Sequence, residues 1–378
     1  MRNVVILQRV IPHYRVRLFE RLHQEFGWIV ACADEPPRGT GLHVLRDRTA
    51  PFARFFPFKF LDAASPYCAL VPIGRILSEL RPEAIISEFS LQMSSSWQLA
   101  ARRLLRRSPK VLFWSHGLNT ELNIGSLHGL ASKGLRKLLF SGVDGNIYYT
   151  SECRTSMGLG ANSPGFVATN TIDVEEIRRT PSIPLETHLG SPTILSVGRI
   201  TPDKALPLVV RGFLPLIETF PDATLVIIGD GPDRKHVEAA AGRYLGKNVV
   251  LTGSVFDEKV LASYFRRAQL SIIGGAAGLS VNHALAYDVP VLAFNAGPNG
   301  PFHHPEISYV KEGVTGWLVD GWSSERLTEV LRAIFANGSD PQVRLHKSLR
   351  EYVDRELTLD RMIDGFRCVD SFLDAQLT

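Results

Sequence analysis

Apolar residues in this chain fall into short runs separated by stretches where they recur at three- and four-residue spacing. In the first half the runs 4–7, 28–32, 84–87, 111–114, 145–149 and 166–169 read as buried strands. The runs 194–197, 270–273 and 289–293 repeat the pattern, and a second alternation extends from Ile194 to Val319. Strands alternating with helical patterns predict doubly wound α/β sheets. A stretch rich in Pro and Gly after Arg179 breaks the period and reads as a linker over 179–191. The expected domains are therefore 1–178 and 192–355. In the remaining segment, 356–378, Met362, Phe366, Val369 and Leu373 share one helical face.

Length and composition agree with this organisation. The 378 residues suffice for two domains of ordinary size, and 45% hydrophobic with 21% charged residues exclude a disordered chain. Cys32, Cys68, Cys153 and Cys368 are far apart and form no CxxC pair, which suits a reducing cytoplasm and indicates neither a zinc site nor a disulfide framework. The first strand meets Arg9 and Pro12, so its apolar run is too short for a secretory signal. No apolar stretch approaches the ~18–20 residues that span a bilayer, so the expectation is a soluble or peripheral protein.

Charge is uneven. Residues 1–180 carry 23 Lys and Arg against 15 Asp and Glu, whereas the rest carries 19 against 23. Arg102, Arg103, Arg106, Arg107 and Lys110 share a predicted helix with Leu99, Leu104 and Leu105. Lys133, Arg136 and Lys137 lie beside Leu135, Leu138 and Leu139. Such segments read either as docking surfaces for an anionic membrane or as solvated faces of packed helices. No nucleic-acid motif accompanies the charge, so nucleic acid is not an expected partner.

Candidate chemistry begins at VGRITPDK, residues 197–204. A strand stops at Gly198, and Arg199 and Lys204 follow it, past the carboxyl end where open α/β sheets bind ligands. A guanidinium and an ammonium there read as a diphosphate clamp or as two solvated loop charges. The second element is GGAAGLSVNHALAYDVPVLAF, residues 274–294: strand, glycine-rich turn, helix, strand. Gly274, Gly275 and Gly278 permit close approach of a ligand, and the N–H groups of Gly278, Leu279 and Ser280 would open the helix facing an anion. Together the two elements predict a nucleoside-diphosphate site.

With those motifs in order, the chain resembles the retaining glycosyltransferases of family 4. VGRITPDKALPLVVRGF, LVIIGDGPDRKHVE, NVVLTGSV, GLSVNHALAYDVPV and HHPEISYVKEGVTGWLV carry the resemblance in the second half; IPHYRVRLFERL, WSHG and TNTID carry it less sharply in the first. The resemblance implies a GT-B architecture, two Rossmann-like domains facing a cleft. The first domain would bind the acceptor, the second the nucleotide sugar, and the C-terminal helix would cross back onto the first. Family members commonly carry two glutamates with seven residues between them around the glycine turn. Here Gly275 and His283 occupy those positions, as in a branch with GLSxxH.

Further roles follow from the resemblance. His283 would hold a ribose hydroxyl, or is a helix histidine satisfied by backbone. His116 would approach the donor hexose, or bond neighbouring backbone. Glu306 is the best remaining carboxylate for a donor hydroxyl, or caps a helix. His13, Tyr14 and Arg15 suit acceptor binding, or form a capping and packing set. His303 and His304 lack a third ligand, and Asp230-Gly231-Pro232-Asp233 reads as a turn, so no metal site is expected. The implied activity transfers a hexose-type sugar from a nucleoside-diphosphate sugar, with retention, to a glycan or polyprenyl-linked glycan. It would serve bacterial cell-surface polysaccharide biosynthesis in the cytoplasm, with peripheral docking on the inner membrane face. No cofactor beyond the nucleotide-sugar co-substrate is expected. A catalytically degenerate nucleotide- or glycan-binding protein and a GT-B nucleotide-sugar epimerase are the other classes this fold admits.

Overall fold

The computed structural model describes residues 2–36, 44–61, 68–105, 109–117, 127–160, 163–297, 300–338 and 340–377. Arg106 and Arg107 of the expected basic helix lie outside these residues. The chain divides into two compact units, 1–173 with 359–378, and 174–358.

In unit 1 the strands are β1 (Val4–Leu7), β2 (Ile29–Ala33), β3 (Ala53–Phe56), β4 (Lys59–Phe60), β5 (Ala69–Leu70), β6 (Ala84–Glu88), β7 (Lys110–Ser115), β8 (Gly145–Tyr148) and β9 (Gly165–Val167). Seven of them form one sheet in the order β3-β2-β1-β6-β7-β8-β9, every pair parallel; β4 and β5 make a separate antiparallel pair. Side chains alternate across a strand, so Val4 and Ile6 face one core and Val5 and Leu7 the other. The first core receives Leu18, Phe19 and Leu22 from the helix Val16–Phe26, and Met362, Phe366, Val369 and Leu373 from the helix Leu359–Leu377. Phe366 meets Trp114 edge-on at 5.1 Å and Trp28 at 6.1 Å. A Cβ at Gly365 would stand 2.2 Å from the Val167 carbonyl oxygen, so this helix lies against β9 only because it carries a glycine there.

Unit 2 contains β10 (Thr193–Val197), β11 (Thr224–Ile228), β12 (Val249–Gly253), β13 (Leu270–Ile273), β14 (Val291–Phe294) and β15 (Gly316–Val319). They form a parallel sheet in the order β12-β11-β10-β13-β14-β15. Residues 179–191, expected as a linker, run within this unit. Ser263 Oγ accepts the Ile183 N–H at 2.8 Å and donates to the Ile183 carbonyl at 2.7 Å, and the Gly190 N–H donates to Thr224 Oγ1 at 3.0 Å. Its prolines break helical and strand periods without releasing the backbone from the sheet's flank. The preceding helix Val174–Arg179 also belongs to unit 2: Arg178 donates to the Ala286 carbonyl at 3.1 Å and pairs with Asp288 at 3.0 Å.

Each sheet reverses its strand order beside its first strand, between β1 and β6 in unit 1 and between β10 and β13 in unit 2. Ligands of such sheets bind in the crevice beyond the carboxyl ends at that reversal. Among the described residues no helix is long and apolar enough to cross a membrane.

Candidate nucleotide site and its counterpart

In unit 2 the reversal lies between the loop after β10 and the glycine turn after β13. The first loop is braced by backbone alone: the Gly198 N–H donates to the Ile228 carbonyl, and the Ile200 N–H to that of Asp230, both at 2.9 Å. Asp233 N–H closes the brace on the Ile200 carbonyl at 3.0 Å, so the Asp230–Gly231–Pro232–Asp233 turn supports this loop. Arg199 at its tip is exposed; its carbonyl accepts the Thr201 N–H at 3.1 Å, and its guanidinium has no hydrogen-bond or ion-pair partner among the described residues.

The glycine turn is pinned atom by atom. Trp322 Nε1 donates to the Gly274 carbonyl at 2.8 Å, and Lys204 Nζ donates to the Ala276 carbonyl at 2.6 Å. The Ala276 N–H donates to the Asp203 carbonyl at 2.9 Å, and the His304 N–H to the Ala277 carbonyl at 3.1 Å. The Ala277 N–H donates to His303 Nδ1 at 3.1 Å, so the opposite nitrogen, 2.8 Å from the Phe294 carbonyl, carries the ring proton. Burial, reinforced by His304 and Lys204, pushes the His303 pKa down to about 4, which keeps this two-sided arrangement intact at neutral pH.

Position 275 now has a physical explanation. A Cβ on Gly275 would fall 1.8 Å from the Asp203 carbonyl oxygen, so the 203–205 loop occupies the space that any side chain would need. Beyond the turn, the N–H groups of Gly278, Leu279 and Ser280 find no partner among the described residues, and Val281 is the first amide satisfied, on the Gly278 carbonyl at 2.9 Å. Three unsatisfied donors at the start of the helix Ser280–Ala286 face the reversal that Arg199 also borders. Lys204 stands beside them, with its ammonium also 3.7 Å from Asp203. This arrangement can grip two linked phosphates.

Other expected residues of unit 2 lie as follows. His283 Nε2 is 2.8 Å from Glu258 Oε1, which also accepts the Tyr287 hydroxyl at 2.6 Å. The Tyr287 ring stacks on Phe265 at 5.0 Å. Burial would raise the Glu258 carboxyl pKa, but the His283 and Tyr287 hydrogen bonds outweigh it and hold the group below its ordinary value. Burial and that same bond raise Tyr287. Glu306 is 2% exposed, on the short turn Pro305–Tyr309. Trp322, His303 and Glu258 were not among the expected site residues; each acts from a distant segment, and no local spacing announces it.

In unit 1 the corresponding reversal is filled by an ion pair. Arg9 Nε donates to Glu88 Oε1 at 2.9 Å, and the Arg9 N–H to Oε2 at 3.1 Å. Burial alone would raise the Glu88 pKa, but the Arg9 guanidinium outweighs it and holds the carboxyl below its usual range. His13 and Tyr14 are exposed on the turn His13–Arg15, whereas Arg15 is 6% exposed. The Arg15 guanidinium donates to Asn170 Oδ1 and lies over Trp114 at 5.1 Å and Tyr149 at 5.6 Å. His116 follows β7, its ring 4.6 Å from that of Tyr149.

The basic clusters are only partly solvated. Arg103 and Lys110 both engage Asp144, at 2.6 and 3.2 Å. Arg136 is buried, lies over the Phe89 ring at 5.5 Å and donates to the Gly117 carbonyl. Arg102, Lys133 and Lys137 keep partial exposure near the solvent-facing Leu104, Leu105 and Leu138.

Residues 191–337 match the family model of glycosyl transferases group 1. Over 340 residues the chain is 24% identical to the phosphatidyl-myo-inositol mannosyltransferase of Mycobacterium leprae (strain TN), a match covering 82% of this chain and 87% of that protein. Sucrose-phosphate synthase from Thermosynechococcus elongatus superposes with a TM-score of 0.71 at 17% identity, over 98% of this chain and 99% of that one. Anabaena HepE in complex with UDP-glucose does so with a TM-score of 0.65 at 14% identity, over 97% and 99%. The two Rossmann-like sheets are those of the GT-B fold.

Proposed function

We propose that the chain, whose residues 191–337 match the family model of glycosyl transferases group 1, transfers a hexose-type sugar from a nucleoside-diphosphate donor, with retention at the anomeric carbon. The acceptor is a glycan or polyprenyl-linked glycan in the assembly of a bacterial cell-surface polysaccharide. The observation that carries this reading is that the Arg199 guanidinium borders the same reversal as the amides of Gly278 to Ser280, all without partners among the described residues. Two relatives lend support: one is named a mannosyltransferase, and the other holds UDP-glucose.

As the glycosidic bond breaks, negative charge grows on the departing diphosphate. Arg199, Lys204 and the amides meet that charge with donors fixed before the reaction, which is how electrostatic stabilisation acts most strongly. The acceptor oxygen forms its bond on the face the leaving group vacates, and the leaving phosphate takes the acceptor proton. No enzymatic nucleophile is needed. Gly198 and Gly275 belong to the donor site by keeping side chains out of it, Leu279 and Ser280 by their amides. His283 and Glu306 contribute from within the supporting layer. His116 serves the donor hexose; His13 and Tyr14 receive the acceptor, and Arg15 positions them. Because two cations and a helix terminus neutralise the diphosphate, no metal is required. Arg102, Lys133 and Lys137, with Leu104, Leu105 and Leu138, form the face for anionic lipid.

The test is sugar transfer by Arg199→Ala in excess EDTA. A charge-assisted hydrogen bond is worth roughly 1.5–3 kcal/mol, so turnover should fall about ten- to hundredfold, while the parent stays active in the chelator. Parental rates in the variant would overturn the clamp, and loss in EDTA restored by Mg²⁺ would assign its work to a metal.

A further inference from the structure

The helix Ser280–Ala286 ends in a hydrogen-bonded cap that requires a left-handed residue. The Val289 N–H donates to the Ala284 carbonyl and the Asp288 N–H to that of Leu285, both at 3.0 Å, and Asp288 has φ +58°. Glycine fills such a position most easily, because it has no Cβ to crowd the neighbouring carbonyl. An aspartate there holds a disfavoured backbone conformation, and the reason for it lies in what its carboxylate touches.

That carboxylate is 12% exposed and is shared between two helices far apart in sequence. Oδ1 accepts Arg178 Nη2 at 3.0 Å, and Oδ2 accepts Arg350 Nη1 at 2.8 Å; His346 Nε2 stands 3.8 Å from the same Oδ2. Arg178 belongs to the helix Val174–Arg179, and Arg350 to the helix Pro341–Glu356. Asp354, one turn after Arg350, accepts Arg178 Nη1, and Arg178 Nε closes the group on the Ala286 carbonyl at 3.1 Å. These two helices are the ones through which the chain enters unit 2 after residue 173 and leaves it before residue 359. Charge-assisted hydrogen bonds in a mostly buried group are strong and directional, so one carboxylate ties both ends of unit 2 to the same point.

We propose that Asp288 is a positioning residue for sugar transfer: through Arg178 and Arg350 it fastens both passages of the chain to unit 2. Bending between the units is thereby confined to residues 173–174 and 357–359, and the helices beside them stay with their sheet. The inference rests on the glycosyltransferase reading above, in which nucleotide binding calls on unit 2 and transfer calls on both units. It adds a residue that touches neither substrate and acts on turnover alone.

Hydrogen exchange of the full chain, read by mass spectrometry, tests the clamp, because Asp288→Gly keeps the cap and removes the carboxylate. The amides of 174–179 and of 350–356 should both exchange about tenfold faster or more in this variant, the scale of one charge-assisted bond, while those of β10 and β11 should not change. Asp288→Asn keeps one acceptor oxygen and should release the same two segments by a smaller factor; it decides the matter if glycine loosens the whole unit. Calorimetry with UDP, GDP and ADP should return parental affinities within about twofold in both variants. Turnover of UDP- and GDP-sugars by Asp288→Gly, followed as nucleotide release, should fall about tenfold with KM little changed. Exchange unaltered in both variants, or altered at one passage only, overturns the shared clamp. Parental turnover with both passages released, or a loss of nucleotide affinity that matches the loss of turnover, overturns the positioning role. A parent that binds no nucleotide and turns over no nucleotide sugar overturns the glycosyltransferase reading and the positioning role with it, while exchange still decides the clamp.

Discussion

The two sheets share one topology but treat the point where their strand order reverses in opposite ways. In unit 1 the space between β1 and β6 is closed by the Arg9–Glu88 pair, side chain against side chain. In unit 2 the space between β10 and β13 is lined by backbone: a glycine turn with carbonyls engaged, and three amides and an arginine guanidinium without partners among the described residues. The same crevice is thus closed by an internal brace in one half and lined by unsatisfied donors in the other. What separates them is whether a charged group finds its counter-charge within the fold. Arg9 does; Arg199 does not. A cation that the fold leaves unsatisfied beside unsatisfied amides is available to an anion from outside, and burial of an ion pair removes that availability.

The sharpest way to break the contrast is to fill the glycine turn. Gly275→Glu would restore a residue common in related enzymes, yet its Cβ would meet the Asp203 carbonyl oxygen at 1.8 Å. The loop bearing Lys204 would have to move. Nucleotide binding should be lost, with destabilisation of about 3 kcal/mol or more, read by calorimetry and urea unfolding. Retained affinity would mean that the 203–205 loop yields without affecting the site.

A pH titration sharpens the role of His303. Its folded-state pKa is depressed to about 4 from an ordinary 6.5, so the unfolded chain binds this proton first. The contribution of the neutral ring is fully present above about pH 6.5 and declines as pH falls towards 4, by on the order of 3 kcal/mol in total. His303→Gln, which still offers one donor and one acceptor, should flatten that slope of the urea midpoint against pH. An equal slope in both proteins would show that His303 titrates as a solvated histidine does.

In unit 1 the expected effects are smaller and fall on stability. Arg9→Ala should cost about 2 kcal/mol, less than the 3–5 typical of breaking a fully buried pair, because Glu88 retains 20% exposure. Nucleotide affinity in unit 2 should not change. Glu88 has a depressed pKa, so its pairing stabilises above the unfolded carboxyl pKa and is lost as pH falls through the folded value. A drop in nucleotide affinity in Arg9→Ala would end the division of labour drawn here. The smallest effect concerns lipid. Lys133→Gln with Lys137→Gln should weaken co-sedimentation with phosphatidylglycerol vesicles by ~1 kcal/mol per charge, and equal partitioning would leave those lysines as a solvated helix face.

Much of the scaffold was readable from runs of apolar residues. The runs 4–7 and 270–273 are β1 and β13 residue for residue, and 194–197 misses β10 by its first threonine. The edge strand β3 was not foreseen, since Ala53-Arg54-Phe55-Phe56 has an exposed arginine inside it and one sheet neighbour only. The segment 179–191 carries the composition of a linker, but its tie to Ser263 lies 80 residues away in sequence. In the candidate site, the glycine turn and the open amides of 278–280 were legible as a strand-turn-helix pattern, and it was their pairing with Arg199 and Lys204 that suggested an anion. The groups that hold the turn could not: Trp322 reaches Gly274 across 48 residues, and His303 reaches Ala277 across 26. Arg15 shows the same limit, for nothing in His13-Tyr14-Arg15 distinguishes the buried cation from its two exposed neighbours.

The order of the chain has a consequence for biosynthesis. Unit 2 is one uninterrupted segment, 174–358, whereas unit 1 needs residues 359–378 to cover β9 and to enclose Trp28 and Trp114. A ribosome delivers those twenty residues after all of unit 2, so the first half to be translated waits for the last helix while the second half can mature without it. During that interval one face of the nascent sheet has its aromatic floor in water, and it is there that a chaperone would find its binding site.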